Sequence, residues 1–548
     1  MKVYRQLVRT FIGAAETDMP AGKRQKLFYA VMGVVAVCFI MVPCCLLIGY
    51  LSYGLTLGLN TESADGTMFI VHFIALFSMV FGIHVILNVF YFSGGNAYIL
   101  PLPISPGKVI AAKFTAALVN ESVMQWIVLF SAVIGFFLGV DHGRYMFPAA
   151  MLGALVLPVA PLAYCGILCV LMMAGTKWIR NKTHARRLSF LVSLIMIVVA
   201  VALVGMLKDM DMMRFTEQLK QGGISFYHAM NILFPTNYLY GKMLSGKSLP
   251  YFFLYLLLNA AILLVFYLLA QKLYYRGLLG LGSEGSAKTK RSFTLRKTKQ
   301  HSPAAAYFKK ECLVLFHTPA YLMNCIFVNF LWPILAYAVY LMQADSSVFQ
   351  NFFISYRLEN ELACWIVTLL VLVGTVLLTA ANSIAASAIT REGKHYDTMK
   401  YWPISYRTQL HIKAAVSIMI SSVFVEGYLL IFAKTMKMPQ AELLYDMLVC
   451  LLEVCVISYL GVFLDTINPK LIWDDELNAL RGNYNIFFNM AYAMLLSALF
   501  TGVMALAYFA TKLSLWQMRG LLLLALVVGV VWMEQICIKK GEKNLEAL

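Results

Sequence analysis

The chain has 548 residues, 61% of them hydrophobic and 13% charged, with a mean hydropathy of +0.75 and a formal net charge of +17. Soluble globular chains carry ~25% charged residues, so this composition excludes a water-soluble fold. Nucleic acid is not expected as a partner either, because the basic residues sit in short clusters between long apolar runs, which is the pattern of membrane topology.

In chain order, residues 1 to 26 are charged, and the apolar run that follows is far longer than the core of a secretory leader. No cleavable leader is expected, and the first span should stay in the bilayer. Leu27 to Leu59, Tyr145 to Thr176, Leu362 to Thr390 and Asn483 to Thr511 each exceed the ~20 apolar residues that cross a membrane. Spans are predicted at 27 to 55, 67 to 92, 114 to 140, 146 to 176, 188 to 207, 250 to 271, 319 to 343, 362 to 390, 414 to 434, 444 to 464, 484 to 511 and 520 to 538. The last is bracketed by Arg519, which can snorkel to the headgroups, and Glu534, which can face the bundle.

The basic clusters Arg5/Arg9/Lys23/Arg25/Lys26, Lys177 to Arg187, Lys288 to Lys299, Arg391/Lys394/Lys400/Arg407 and Lys539/Lys540/Lys543 fall on one side if the spans alternate. The positive-inside rule makes that side the cytoplasm, with both termini there. Residues 274 to 302, glycine-bearing and basic, read as a cytoplasmic linker between halves at 1 to 273 and 303 to 548. The polar segment 208 to 250 then lies outside, where its aromatics, including Phe226, Tyr227, Phe234 and Tyr238, suit short helices on the outer surface. Cysteines within spans, such as Cys165, Cys169 and Cys455, are expected to pack as small apolar groups.

An internal repeat organises these elements. Leu102-Pro103-Ile104-Ser105-Pro106 after span two returns as Trp402-Pro403-Ile404-Ser405-Tyr406 after span eight, and Lys113 returns as Lys413, at a constant offset of 300. Both copies are cytoplasmic, so the fold class predicted is an all-α integral membrane protein of about twelve transmembrane helices, built as two parallel six-helix repeats. Pro103 and Pro403 resist continuing the incoming helix, while Ser105 and Ser405 can cap a new one. Each copy is therefore predicted to form a helical corner at the membrane surface.

These motifs, with Ile389-Thr390-Arg391-Glu392-Gly393-Lys394 and the basic amphipathic segments Val3 to Ile12 and Ala305 to Phe316, resemble the permease subunits of type-2 ATP-binding-cassette (ABC) exporters, in particular a duplicated bacterial group. The resemblance implies elbow helices on the inner leaflet and coupling helices that dock on a separate ATPase. On that reading Pro103, Ile104, Ser105, Lys113, Arg391, Glu392, Gly393, Pro403, Ile404, Ser405, Arg407 and Lys413 form the coupling sites. The implied partners are two copies of an ABC ATPase subunit, which would carry the ATP and magnesium, together with the bacterial plasma membrane and an amphiphilic, lipid or peptide substrate. Ser93-Gly94-Gly95-Asn96 stands where the second half has Arg391-Glu392-Gly393-Lys394, so unequal ATPase contacts are expected.

No G-x-x-x-x-G-K-[ST], H-E-x-x-H or paired C-x-x-C is present, so no cofactor, metal site or catalytic residue is predicted in this chain. His72 and His84 read as core histidines. Glu121, Glu426 and Glu453 lie within spans, where a charge costs ~2.5 to 3.5 kcal/mol at a helix centre, and they are the predicted pathway residues. Glu121 and Glu426 occupy repeat-related spans and are expected to approach a shared cavity. The competing function is an ion-coupled carrier that uses such acids as proton sites and needs no ATPase.

Overall fold

A computed structural model describes residues 2–13, 45–58, 63–92, 103–140, 143–175, 225–246, 248–282, 302–330, 354–356, 360–473, 476–480, 483–510 and 513–548, with isolated positions at 42, 101, 191 and 195. Among the described residues there are helices and turns but no strand. Eight helices are long and apolar enough to cross a membrane, or up to ten if two bent pairs each count as one span. The expected fifth span, parts of the first and seventh, His84's side chain, the Ser93-Gly94-Gly95-Asn96 segment and most of the linker lie outside the described residues. The described residues form two compact units, one within 1–293 and the other within 302–548.

In the first unit, α1 (Lys2–Gly13) is the short amphipathic helix that its basic and apolar alternation predicts, and Tyr4 ties it to Thr115 by a 2.8 Å hydroxyl pair. The apolar helix α2 (Cys45–Gly58) lies against α4 (Pro106–Gly139). A Cβ at Gly135 would come 2.1 Å from the Gly49 carbonyl oxygen, so only a glycine permits this approach. Small residues let membrane helices come close enough for such packing, and the Ser52 hydroxyl completes the contact by donating to the Ala132 carbonyl at 2.7 Å.

Helix α3 (Asp65–Leu87) ends in a wider π turn, Asn88–Phe92. The next apolar stretch is two helices, α5 (Phe147–Val156) and α6 (Val159–Gly175), because Pro158 and Pro161 lack the N–H groups needed to run the ladder through. Beyond these come α7 (Ser225–Leu233), α8 (Pro235–Gly246) and the long α9 (Leu249–Gly282). The expectation that the 208–250 segment rests on the outer surface fails for α8. Its Thr236, Asn237, Tyr240, Met243 and Leu244 are buried, and the Tyr240 hydroxyl donates to the Ala150 carbonyl at 2.7 Å. Aromatic content was read as an interface signal, but here the rings fill the core between α3, α5 and α9.

In the second unit, α10 (Pro303–His317) starts at Ser302, whose hydroxyl accepts from the Ala305 amide at 3.3 Å. The chain then turns by 95° into Leu322–Phe330. Helix α11 (Glu361–Ala381) is capped by the Asn360 side chain and continues through the short 3-10 turns Ala385–Ser387 and Thr390–His395. The remaining helices are α12 (Tyr406–Met436), α13 (Gln440–Ile467), α14 (Tyr484–Ala510) and α15 (Leu515–Ala547), the last opened by a Ser514/Gln517 capping box.

The outward faces remain apolar: Phe253, Leu257 and Leu264 on α9 and Leu524, Val528 and Trp532 on α15 are exposed, as helices bounded by acyl chains require. The separate helical corners expected after spans two and eight are not formed. Ser105 and Ser405 instead stand at the N-termini of the membrane helices α4 and α12 themselves, which run for 34 and 31 residues, and the Ser405 hydroxyl accepts from the Thr408 amide at 3.3 Å. Nothing between Pro106 and Lys113, or between Tyr406 and Lys413, interrupts a helical ladder, so the capped segment and the span fuse.

Candidate functional site

Helix α12 carries Lys413 two turns past its cap, fully buried. Its ammonium donates to Glu311 Oε1 at 2.7 Å, Glu392 Oε1 at 2.6 Å and the Ala388 carbonyl at 2.8 Å, which uses all three of its protons. Lys310 reaches the same two carboxylates at 3.1 and 2.5 Å, and the Arg391 guanidinium lies 3.8 Å from Glu311 while donating to Ile384 O and Ser387 Oγ. Three cations and two carboxylates thus share one site, closed except at the half-buried Lys310 and floored by the Tyr307 ring at 5.6 Å from the Lys413 nitrogen. Charges are kept out of water only when paired and hydrogen-bonded, and this set meets that condition.

A second group fixes the same loop from behind. Asp465 accepts from the Ile389 amide at 2.6 Å, the Thr390 amide at 2.9 Å, the Thr390 hydroxyl at 2.7 Å and Asn485 at 2.9 Å. The Trp473 indole donates to the Thr390 carbonyl at 3.0 Å and covers Gly393, where a Cβ would lie 2.4 Å from the ring. Gly393 has φ +54, a conformation glycine adopts freely and other residues resist. Arg391, Glu392 and Gly393 are consequently turned inward and buried, and the two charges are spent on partners inside the unit. The exposed groups of this stretch are Lys394, His395, Asp397, Lys400, Tyr401, Pro403, Ser405 and Arg407, with Tyr401 85% exposed and Arg407 paired to Glu542 at 2.7 Å. Ile404 is half-buried.

Lys113 in the first unit is buried to the same degree. Its ammonium donates to the carbonyls of Val89 at 2.8 Å and Phe90 at 3.0 Å and lies 5.5 and 5.8 Å from the rings of Phe11 and Tyr274. The π turn opens those carbonyls, and Lys113 closes on them. Pro103 and Ser105 are exposed, while Ile104 is half-buried against the core.

The three acids expected to line a pathway divide between the units. Glu121 is half-buried on α4, whereas Glu426 on α12 and Glu453 on α13 belong to the second unit, and Glu453 is buried. Both second-unit acids lie within electrostatic reach of the Cys450 sulphur, as does Asp446. Sequence reading passed over Asp446, which accepts from the Thr368 hydroxyl at 3.0 Å, and over the buried pair of Arg519 with Glu442. A signal was present: positions 442, 446, 450 and 453 recur at the three- and four-residue spacing of one helix face. Arg519 does not snorkel to the headgroups. It is 3% exposed and lies 4.9 Å from the Tyr445 ring.

His72 is satisfied in the core, as expected, at 3.0 Å from Asn231 Oδ1 and 3.4 Å from Asn237 Nδ2. Near it, Ser78, Gln125, Leu157, Pro158, Pro161 and Asn237 line a small cavity of about 10 Å³. It sits at the break between α5 and α6 and beside the 53° bend of α4 between Val123 and Gln125. Among the described residues, no three histidine, cysteine or acidic side chains converge as a metal site would need. Comparison with family models, with curated proteins and with solved structures finds no match to this chain.

Proposed function

We propose that this chain is the membrane-spanning subunit of an ATP-driven transporter, with exporter as the direction that the type-2 resemblance favours. Two copies of an ABC ATPase subunit would supply nucleotide and magnesium, and the cargo would be a peptide, lipid or amphiphilic compound. The observation that carries the reading is the braced turn of the second unit. A protruding Tyr401, flanked by Lys400 and Pro403, stands on a loop held by the Lys413 and Asp465 networks. An exposed aromatic on a rigid base is the arrangement that anchors a protein interface. Burial of Lys113 and Lys413 at positions 300 apart, each donating to carbonyls at the end of the preceding membrane helix, supports two related halves and hence two docking turns. The exposed turn, rather than the inward Arg391 and Glu392, is then the contact surface.

The test is affinity purification of the tagged chain from its native membranes in mild detergent. An ATPase bearing a phosphate-binding loop, at two copies per chain by native mass measurement, is the expected result. The competing reading, an ion-coupled carrier, draws on the buried acids of α13. It predicts uptake or efflux that persists without ATP and collapses with the ion gradient.

A further inference from the structure

Helix α13 places Glu442, Asp446, Cys450 and Glu453 along one face, and α11 turns Thr368, Thr375 and Thr379 toward it at the matching spacing. Two contacts fix the register: Thr368 donates to Asp446 at 3.0 Å and Thr375 to the Cys450 sulphur at 3.2 Å. One turn further on, Thr379 and Glu453 are 3% and 5% exposed. The Thr379 hydroxyl and Glu453 Oε2 have no hydrogen-bond partner there, and neither do Asp446 Oδ2, Glu426 Oε2 or Ser422 Oγ.

Charge balance decides what this seam holds. At one end Arg519 is spent on Glu442, and at the other Lys413, Lys310 and Arg391 are spent on Glu311 and Glu392. Helix α14 contributes no acid or base. Helix α12 adds His411 and Glu426 and, at its ends, Arg407 and the exposed Lys434, and α15 adds Glu534 and, past the seam, Lys539, Lys540, Glu542, Lys543 and Glu546; His411 pairs with Glu534 at 3.9 Å and Arg407 with Glu542 at 2.7 Å. The 3-10 turn Ala385–Ser387 carries no charge. No convergent ligand set among the described residues suits a metal ion. An isolated buried carboxylate is very costly, and such a group takes up a proton instead.

We propose that Glu453 is a proton-binding site in the interior of the second unit, with Glu426 and Asp446 as further carboxyls around Cys450 on the same seam. Proton uptake forms an O–H bond on the Glu453 carboxylate and discharges it; release breaks the same bond, and nothing else is consumed. This goes beyond the functional reading above and does not depend on it, because the site is the same whether ATP or an ion gradient drives transport.

Infrared difference spectroscopy of the purified full chain in lipid nanodiscs, titrated with pH, reads protonated carboxyl groups directly. The expected result is a carboxylic acid C=O band at neutral pH that is lost in Glu453→Gln and persists in Glu442→Gln. Glu453→Asp should keep an acid at this position and shift the band by drawing the carboxyl back by one methylene. A Glu453→Gln spectrum identical to wild type at every pH overturns the proposal, as does loss of the band in Glu426→Gln alone. Should Glu453→Gln fail to fold, an unshifted band in Glu453→Asp overturns it equally.

Discussion

The ammonium of Lys413 lies 2.7 Å from the carboxylate of Glu311, 102 positions earlier in the chain, and this contact binds the amphipathic α10 to the membrane helix α12. Three cations share two carboxylates there, so the cluster carries one excess positive charge. Losing Glu311 should therefore hurt more than losing Lys413. Glu311→Gln leaves Lys310 and Lys413 sharing Glu392, and Arg391 with no carboxylate, whereas Lys413→Met leaves two cations facing two carboxylates. Breaking a buried pair costs ~3 to 5 kcal/mol, and we expect Glu311→Gln at the upper end. Thermal unfolding in detergent measures both, and the reverse order would sink the charge-balance argument.

Gly393→Ala should destabilise the same turn by ~1 to 3 kcal/mol, since it places a side chain at φ +54 and drives a Cβ into the Trp473 ring. Trp473→Ala in the same chain should recover part of the loss by removing the clash while leaving the backbone strain. Full recovery would show that the backbone conformation costs nothing.

Gly135→Ala and Gly427→Ala should differ in sign. A Cβ at Gly135 meets the Gly49 carbonyl, so α2 and α4 must separate, at ~1 to 3 kcal/mol. Gly427 has no neighbour within 4 Å of an added Cβ and lies inside α12, where alanine is favoured over glycine by ~0.5 to 1 kcal/mol. Paired melts of the two variants check this, and equal losses would contradict the close approach.

Tyr401→Ala should leave the melting temperature unchanged, because the side chain is 85% exposed. It should nevertheless abolish co-purification of the ATPase that the functional proposal requires. Retention of a full complement of ATPase in this variant would remove the turn from the interface.

The apolar runs, the two amphipathic helices and the Ser405 cap were legible in sequence because each rests on local chemistry, whereas Lys113 and Lys413, expected as coupling residues, are buried by partners that sequence does not show. Arg391 and Glu392 misled, since charged residues beside a span read as surface groups until their partners Glu311 and Lys413, far away in sequence, are brought beside them. The division of Arg519 from its expected headgroup contact has the same origin, because Glu442 meets it across two helices. The π turn at Asn88–Phe92 left no signature in residue type, and only the carbonyls that it offers Lys113 reveal its use.

The clamp around Lys413 also has a mechanical meaning. Because one ammonium holds α10, the turn after α11 and α12 together, these pieces displace as one block. A push delivered at Tyr401 would tilt α12 and lift α10 in the same stroke. On our reading α10 rests at the membrane surface, so the lever has one arm in the protein core and the other in the lipid leaflet, and local bilayer thickness would enter the work of each cycle.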